Sequence, residues 1–373
     1  MLTKNDIYLG NPRLKKANVK LDYTEEQIKE LAKCAKDIRY FCNTYMKIVN
    51  VDEGLMNFQT YSFQDNIISS VQKNRFTICK MPRQSGKTTV MTALILHFAL
   101  FNEAFNVAVL ANKAATAREI LHRIQLGFEY LPYWMQQGIV EWNKGNIELE
   151  NGSKILAGST SSGSVRGGSF NLIYLDEFAF VPAHQQQEFF ASTYPTISSG
   201  NTTRVMITST PRGMNLFYKI WTDAIEERNE YEAIEVHWSD VPGRDEEWKK
   251  QTIKNTSEDQ FRVEFECEFL GSSNTLIHPT KLGALVFHEP IHKAESVKIF
   301  EEPKPNHVYT ISVDVSRGIG NDYSAFTVVD CSVVPYQVVA TFRNNVISPM
   351  LFPNIILQAA RKYNDAYCLI EIN

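Results

Sequence analysis

Between residues 76 and 236, short apolar runs alternate with longer stretches in which apolar side chains recur every three or four positions. The short runs, at 76–81, 107–111, 172–175, 204–208 and 233–236, predict strands. The longer ones, at 88–101, 114–126, 185–193 and 214–227, predict helices. Such alternation implies a parallel sheet covered by helices, because parallel neighbours need a crossover and the crossover helix packs back on the sheet. One interruption is predicted: Asn151-Gly152, between Ile147-Glu148-Leu149 and Lys154-Ile155-Leu156, signals a two-residue hairpin. Upstream, residues 1–23 are polar and irregular. Thr24-Glu25-Glu26-Gln27 then reads as a capping box, and Ile28, Leu31, Ala35, Ile38, Phe41, Cys42 and Tyr45 continue at helical spacing. Helical segments at 245–255 and 257–269 close this part of the chain.

The pattern then changes. Residues 288–306 mix Pro290, Pro303 and Pro305 with charges and read as a linker. Strands follow at 308–315, 324–330 and 337–342, then a helix near 349–363 and a strand at 368–372, on which the sequence stops. This gives an N-terminal helical segment at 1–54, an α/β domain at 55–287, the linker at 288–306 and a second α/β domain at 307–373. A length of 373 residues suits two domains.

Composition changes this picture little. With 44% hydrophobic and 12% aromatic residues the chain can bury substantial cores. A net charge of −4 excludes a surface coated in basic residues, but not a local basic grip on nucleic acid. Lys249, Lys250, Lys254, Arg262 and Arg212 are candidates for such a patch. The cysteines at 34, 42, 79, 267, 331 and 368 stand singly, which suits reduced thiols in a cytosolic protein. The start, Met-Leu-Thr-Lys-Asn-Asp, lacks a signal-peptide pattern, and the apolar stretch 92–101 contains His97 and is too short to span a bilayer. A soluble intracellular protein with no membrane partner is expected.

The chemistry centres on Arg83-Gln84-Ser85-Gly86-Lys87-Thr88-Thr89. Gly86-Lys87-Thr88 matches the end of the phosphate-loop pattern, with Met81 where the first glycine belongs. A strand before it and a helix after it would let main-chain N–H groups wrap phosphate oxygens. Lys87 would then neutralise the β- and γ-phosphates of ATP, and the Thr88 hydroxyl would complete a Mg²⁺ shell. About ninety residues on, the apolar run Leu172-Ile173-Tyr174-Leu175 ends in Asp176-Glu177. Asp176 can hold the Mg²⁺ through water, and Glu177 can polarise the attacking water as general base. Thr208-Ser209-Thr210, after a further strand, either senses the γ-phosphate or caps the helix that follows.

Taken together these residues resemble the large terminase subunit of tailed bacteriophages, the packaging ATPase-nuclease, over roughly residues 55 to 373. The resemblance implies a P-loop ATPase domain at 55–287 and an RNase H-like nuclease domain at 307–373. That family's loop lacks the first glycine and carries an arginine four residues before the lysine, the place of Arg83, which would act in cis on the γ-phosphate. Gln64, in Tyr61-Ser62-Phe63-Gln64, would contact adenine. Arg166, in Val165-Arg166-Gly167-Gly168, would reach the ATP of an adjacent subunit. Thr208, Ser209 and Thr210 would form the coupling motif. Asp314 and Glu371 would hold Mg²⁺ or Mn²⁺ for DNA cleavage with Asp322 in support, although the family's nuclease continues beyond the position of Glu371, so an incomplete nuclease is expected. The resemblance further implies duplex DNA, a portal protein and a small terminase subunit as partners. It also implies a ring of five subunits, in the cytoplasm of an infected bacterium and transiently on a procapsid. Two other readings compete: a two-lobed helicase or translocase, which shares Asp176-Glu177 and Thr208-Ser209-Thr210, and a scaffold whose nucleotide site is purely structural.

Overall fold

The computed structural model describes residues 5–50, 52–160, 168–198, 202–269, 289–294, 296–320 and 322–371, and the chain divides into two compact units, Met1–Gly283 and Ala284–Asn373. The first unit opens with an antiparallel pair, β1 (Ile7–Tyr8) and β2 (Asn11–Lys15). Helices α1 (Glu25–Lys36) and α2 (Ile38–Tyr45), the hairpin β3 (Lys47–Asn50) and β4 (Gly54–Asn57), and α3 (Ser62–Lys73) follow. The Thr24 capping box forms as the sequence predicts. The helix it opens is shorter than the apolar spacing suggests. Asp37 is extended, at φ −124°, and its carboxylate accepts from the Tyr40 N–H, so it ends α1 and caps α2. The apolar stripe hides this break because Cys34, Ile38, Phe41 and Cys42 all enter one core.

Eight strands build the main sheet: β5 (Phe76–Lys80), β6 (Asn106–Ala111), β7 (Ile139–Trp142), β8 (Asn146–Leu149), β9 (Lys154–Ser159), β10 (Leu172–Asp176), β11 (Arg204–Ser209) and β12 (Tyr231–Glu235). Their order is β12-β5-β11-β10-β6-β9-β8-β7. The first six are parallel, and β8 and β7 extend that edge as antiparallel neighbours. The β8–β9 hairpin forms, but Glu150 to Ser153 lie between its strands. The Leu149 N–H donates to the Ser153 carbonyl with Gly152 at φ +80°, so the turn is longer than two residues. Strand periodicity divides the core in two. Cys79, Val109, Tyr174 and Met206 face one side, and Ile78, Leu110, Leu175 and Ile207 face the other. The helices α4 (Lys87–Phe101) and α5 (Ala114–Glu129) cover the first face, while α6 (Ala183–Ser198) and α7 (Leu216–Ile225) cover the second. Helix α4 is apolar on all sides and buried along nearly its whole length, as a helix without a polar face must be. Register sets Asp176 beside Thr208 and Ser209 beside Lys80, so the carboxyl ends of β10, β11 and β5 share one edge. Crevices at that edge are where parallel α/β sheets bind ligands. Two short helices, α8 (Glu246–Asn255) and α9 (Glu258–Glu264), end the described part of this unit.

The second unit is a six-stranded mixed sheet of β13 (His292–Lys293), β14 (Val297–Ile299), β15 (Tyr309–Asp314), β16 (Ser324–Asp330), β17 (Gln337–Asn344) and β18 (Tyr367–Ile370), ordered β13-β14-β17-β16-β15-β18. Strands β15 to β17 form an antiparallel meander, and β18 returns parallel to β15 after the helix α10 (Phe352–Lys362). Residues 288–306, a linker by composition, carry β13 and β14, and β14 pairs with β17. Their runs are two and three residues long and largely exposed, so no apolar period marks them. Phe326, Phe342 and Phe352 stack at the centre of this unit's core, with successive rings 5.2 and 5.3 Å apart.

All six cysteines are free. Cys34, Cys42, Cys79 and Cys267 are buried, and burial pushes each thiol up to about 12; Cys331 and Cys368 are partly exposed. Among the described residues no helix is long and apolar enough to cross a membrane.

Candidate active site

The loop from Met81 to Gly86 joins β5 to α4. Gly86 is the N-cap of α4 in the left-handed region, at φ +77°, and brings no side chain to satisfy the first-turn N–H groups. Those donors, with the positive end of the helix dipole behind them, suit an anion. Gln84 is also left-handed, at φ +54°, and the Ser85 hydroxyl donates to the Pro82 carbonyl at 2.8 Å. A pocket of about 400 Å³ opens over the loop. Arg83 through Thr89 line it, together with Glu177, Phe180 and Arg123 of α5. Sequence spacing gives no hint of Arg123, which reaches the loop only because α5 packs against α4.

Across the pocket, the buried Lys87 ammonium lies 2.5 Å from a Glu177 carboxylate oxygen and donates to the Thr210 hydroxyl at 3.1 Å. Glu177 has left-handed backbone, at φ +49°, a strained conformation for a side chain of its size. Its other oxygen accepts from the Ser209 hydroxyl and the Thr210 N–H, both at 3.4 Å. The loop behind it is pinned by buried Gln186, whose amide donates to the Phe178 and Val181 carbonyls and accepts from the Leu216 N–H. Asp176, buried at the end of β10, accepts from the Tyr174 hydroxyl at 2.6 Å and the Thr208 hydroxyl at 3.1 Å. Burial raises the Asp176 carboxyl above its ordinary range, and Glu177 nearby adds to the rise; the two hydroxyl bonds and Lys87 oppose it. Thr208, Ser209 and Thr210 are fully buried and wired to Asp176, Glu177 and Lys87 in turn. The cap of α7 is Asn215 instead.

Gln64 is buried, and its amide is spent inside the protein: it accepts from the Tyr61 N–H at 2.9 Å and donates to the Gly86 carbonyl at 3.4 Å. A methyl group at Gly86 would lie 2.8 Å from the same amide nitrogen, so Gln64 braces the loop from behind. The Arg83 side chain is half exposed and pairs with Glu264 of α9 at 2.6 Å. Arg166 lies outside the described residues. In the second unit, Asp314, Asp322 and Glu371 line one open pocket with Ser316, Arg317 and Tyr323. Among the described residues, however, no three metal-ligating side chains gather closely enough to hold an ion. Of the basic candidates on the surface, Lys249 pairs with Glu266 and Arg262 with Glu268, whereas Lys250, Lys254 and Arg212 are exposed.

A glycine-and-lysine loop between an interior parallel strand and an apolar helix, facing an Asp-Glu pair at the end of the next strand but one, with β11 between, defines a P-loop nucleotide-hydrolase fold. The family described as "Terminase large subunit, T4likevirus-type, N-terminal" matches residues 78–283, more than half of the chain, and the chain belongs to that family. It is similar to the large terminase subunits of Thermus phage G20c and Thermus virus P23-45, at 26% identity over 181 residues in each case. The matched region is 45% of this chain and 36% of each relative, so the chain spans little over a third of the curated relatives it matches. The crystal structure of the HK97 bacteriophage large terminase shares the fold with a TM-score of 0.57 at 13% identity, over 90% of this chain and 74% of that one.

Proposed function

We propose that this chain is the ATP-hydrolysing subunit of a viral DNA-packaging motor. The observation that carries this reading is the Lys87–Glu177 pair over the phosphate loop, with Asp176 one residue away at the end of β10. In the reaction Lys87 leaves Glu177 for the phosphates, freeing that carboxylate to orient a water and accept its proton. The Thr88 hydroxyl and the Asp176 carboxylate are hard oxygen donors, which fit Mg²⁺, and a cation there would offset the cost of burying Asp176 as an anion. When bound, that ion neutralises charge on the β- and γ-phosphate oxygens. Arg83 is the further cation that the developing charge calls for.

Lys87→Ala and Glu177→Gln are each expected to cut ATP turnover by about 100-fold or more, since a positioned base alone contributes 10²–10⁴. Turnover at the parent rate in either variant, measured by phosphate release, sinks the assignment. The terminase reading extends to duplex DNA as the cargo, a portal protein and small subunit as partners, and work at a procapsid in the cytoplasm of an infected bacterium. It also includes a ring, in five copies by the resemblance, with Arg166 serving the neighbouring site. Doping Arg166→Ala subunits into an assembled motor tests the last point, because a strictly proportional loss of packaging would contradict a shared site. For the second unit the pocket shared by Asp314, Asp322 and Glu371 supports a DNA-cutting role with Mg²⁺ or Mn²⁺, for which these acids would have to draw closer together than they lie here. Plasmid nicking by this chain that disappears in Asp314→Asn is the result that role requires.

A further inference from the structure

The segment following β12 closes on the phosphate loop through two contacts that the chemistry above does not use. One Arg244 nitrogen, Nη2, donates to the carbonyls of both Arg83 and Gln84, each at 2.9 Å. The guanidinium lies over the rings of Trp248 and Phe265, 4.8 and 5.5 Å from their centroids, and its Nη1 is buried with no hydrogen-bond partner. Desolvating a cation and leaving one of its donors unmet is costly, so this geometry is held against a penalty. What it holds is the peptide on either side of Gln84, whose left-handed φ of +54° is unfavourable for glutamine. The second contact is Glu264, which binds Arg83 twice. Its carbonyl accepts from the Arg83 N–H at 3.0 Å and its carboxylate from the Arg83 side chain at 2.6 Å. The helix bearing Glu264 is itself anchored, since Phe261 and Phe265 pack edge-on or tilted against Trp238 and Trp248.

We infer that Arg244 and Glu264 are positioning residues of the nucleotide site: Arg244 fixes the shape of the phosphate loop, and Glu264 holds Arg83 in reserve until a γ-phosphate competes for it. This rests on the nucleotide reading given above. The Arg83 side chain is 55% exposed, so it can swing from the carboxylate to a phosphate without repacking the core. A diphosphate offers nothing for which Arg83 should leave Glu264, whereas a triphosphate does. Glu264 therefore lowers affinity for the triphosphate selectively, and Arg244 raises affinity for both nucleotides.

The test is calorimetric titration of the full chain with ADP and with the non-hydrolysable AMP-PNP, each with Mg²⁺. Glu264→Gln should bind AMP-PNP about three- to fivefold tighter relative to ADP, the range for releasing a partly exposed ion pair. In an Arg83→Ala background the same substitution should change that ratio not at all. Arg244→Met should weaken both nucleotides about tenfold, with part of the loss restored in Arg244→Lys. A general loss of structure would lower both affinities and leave the ratio alone, so the ratio isolates Glu264. An unchanged AMP-PNP to ADP ratio in Glu264→Gln, with the parent chain binding both and Lys87→Ala binding neither, overturns the inference but keeps the nucleotide reading. Failure of the parent chain to bind either nucleotide overturns both.

Discussion

Two single residues carry sharp expectations. At Gly86 a methyl group meets both a backbone at φ +77° and the Gln64 amide at 2.8 Å. Gly86→Ala should therefore abolish nucleotide binding in a titration while costing about 1–2 kcal/mol of stability. His97, inside apolar α4, sits 2.8 Å from the Cys34 carbonyl, and burial pulls its imidazole down to about 4. The unfolded chain takes up that proton near pH 6.5 and the folded one resists until about pH 4, so the unfolded state binds more protons in between. Stability must then fall as pH drops through that window, by about 3 kcal/mol in all. Urea midpoints of the parent chain between pH 7 and pH 4 should show the slope, and those of His97→Gln should lack this part of it. The chemistry of this scale was legible in the sequence where it is local: Gly86, Lys87, Asp176 and Glu177 are recognised from their neighbours. Arg123, Arg244 and Glu264 were not, because they come to the loop from other elements and no spacing in the chain records that approach.

Among the elements, Asn215 caps α7 by accepting from the Phe217 and Tyr218 N–H groups. Asn215→Ala is expected to cost about 1 kcal/mol, read as a lowered denaturation midpoint, since the first-turn donors would lose their acceptor. The strands β5, β6, β10 and β11 were readable because each is a run of buried positions with no competing helical period. The hairpin β3–β4 and the strands β13 and β14 were not, for the opposite reason. Their side chains are mostly half-buried or exposed, so hydrophobicity does not mark them. The break at Asp37 leaves no mark in the hydrophobic period, because the apolar stripe runs on across it and a single carboxylate does not interrupt that stripe.

At the scale of the molecule, strand alternation foretold a parallel sheet but not its order, since the order is decided by which crossover each connection makes. A ligand that binds only the folded first unit must stabilise it by mass action. Mg²⁺-ATP at 100 times its dissociation constant should raise the unfolding free energy by about 2.7 kcal/mol, and Lys87→Ala should remove that shift in a thermal melt. The buried thiols add a consequence of a different kind. Cys34, Cys42, Cys79 and Cys267 all belong to the first unit, whereas Cys331 and Cys368 belong to the second and are partly open to solvent. A maleimide dye should therefore attach first to the second unit alone, with no engineered handle. Slower labelling of the remaining four would then clock the opening of the first unit, giving the chain a built-in pair of reporters, one for position and one for unfolding.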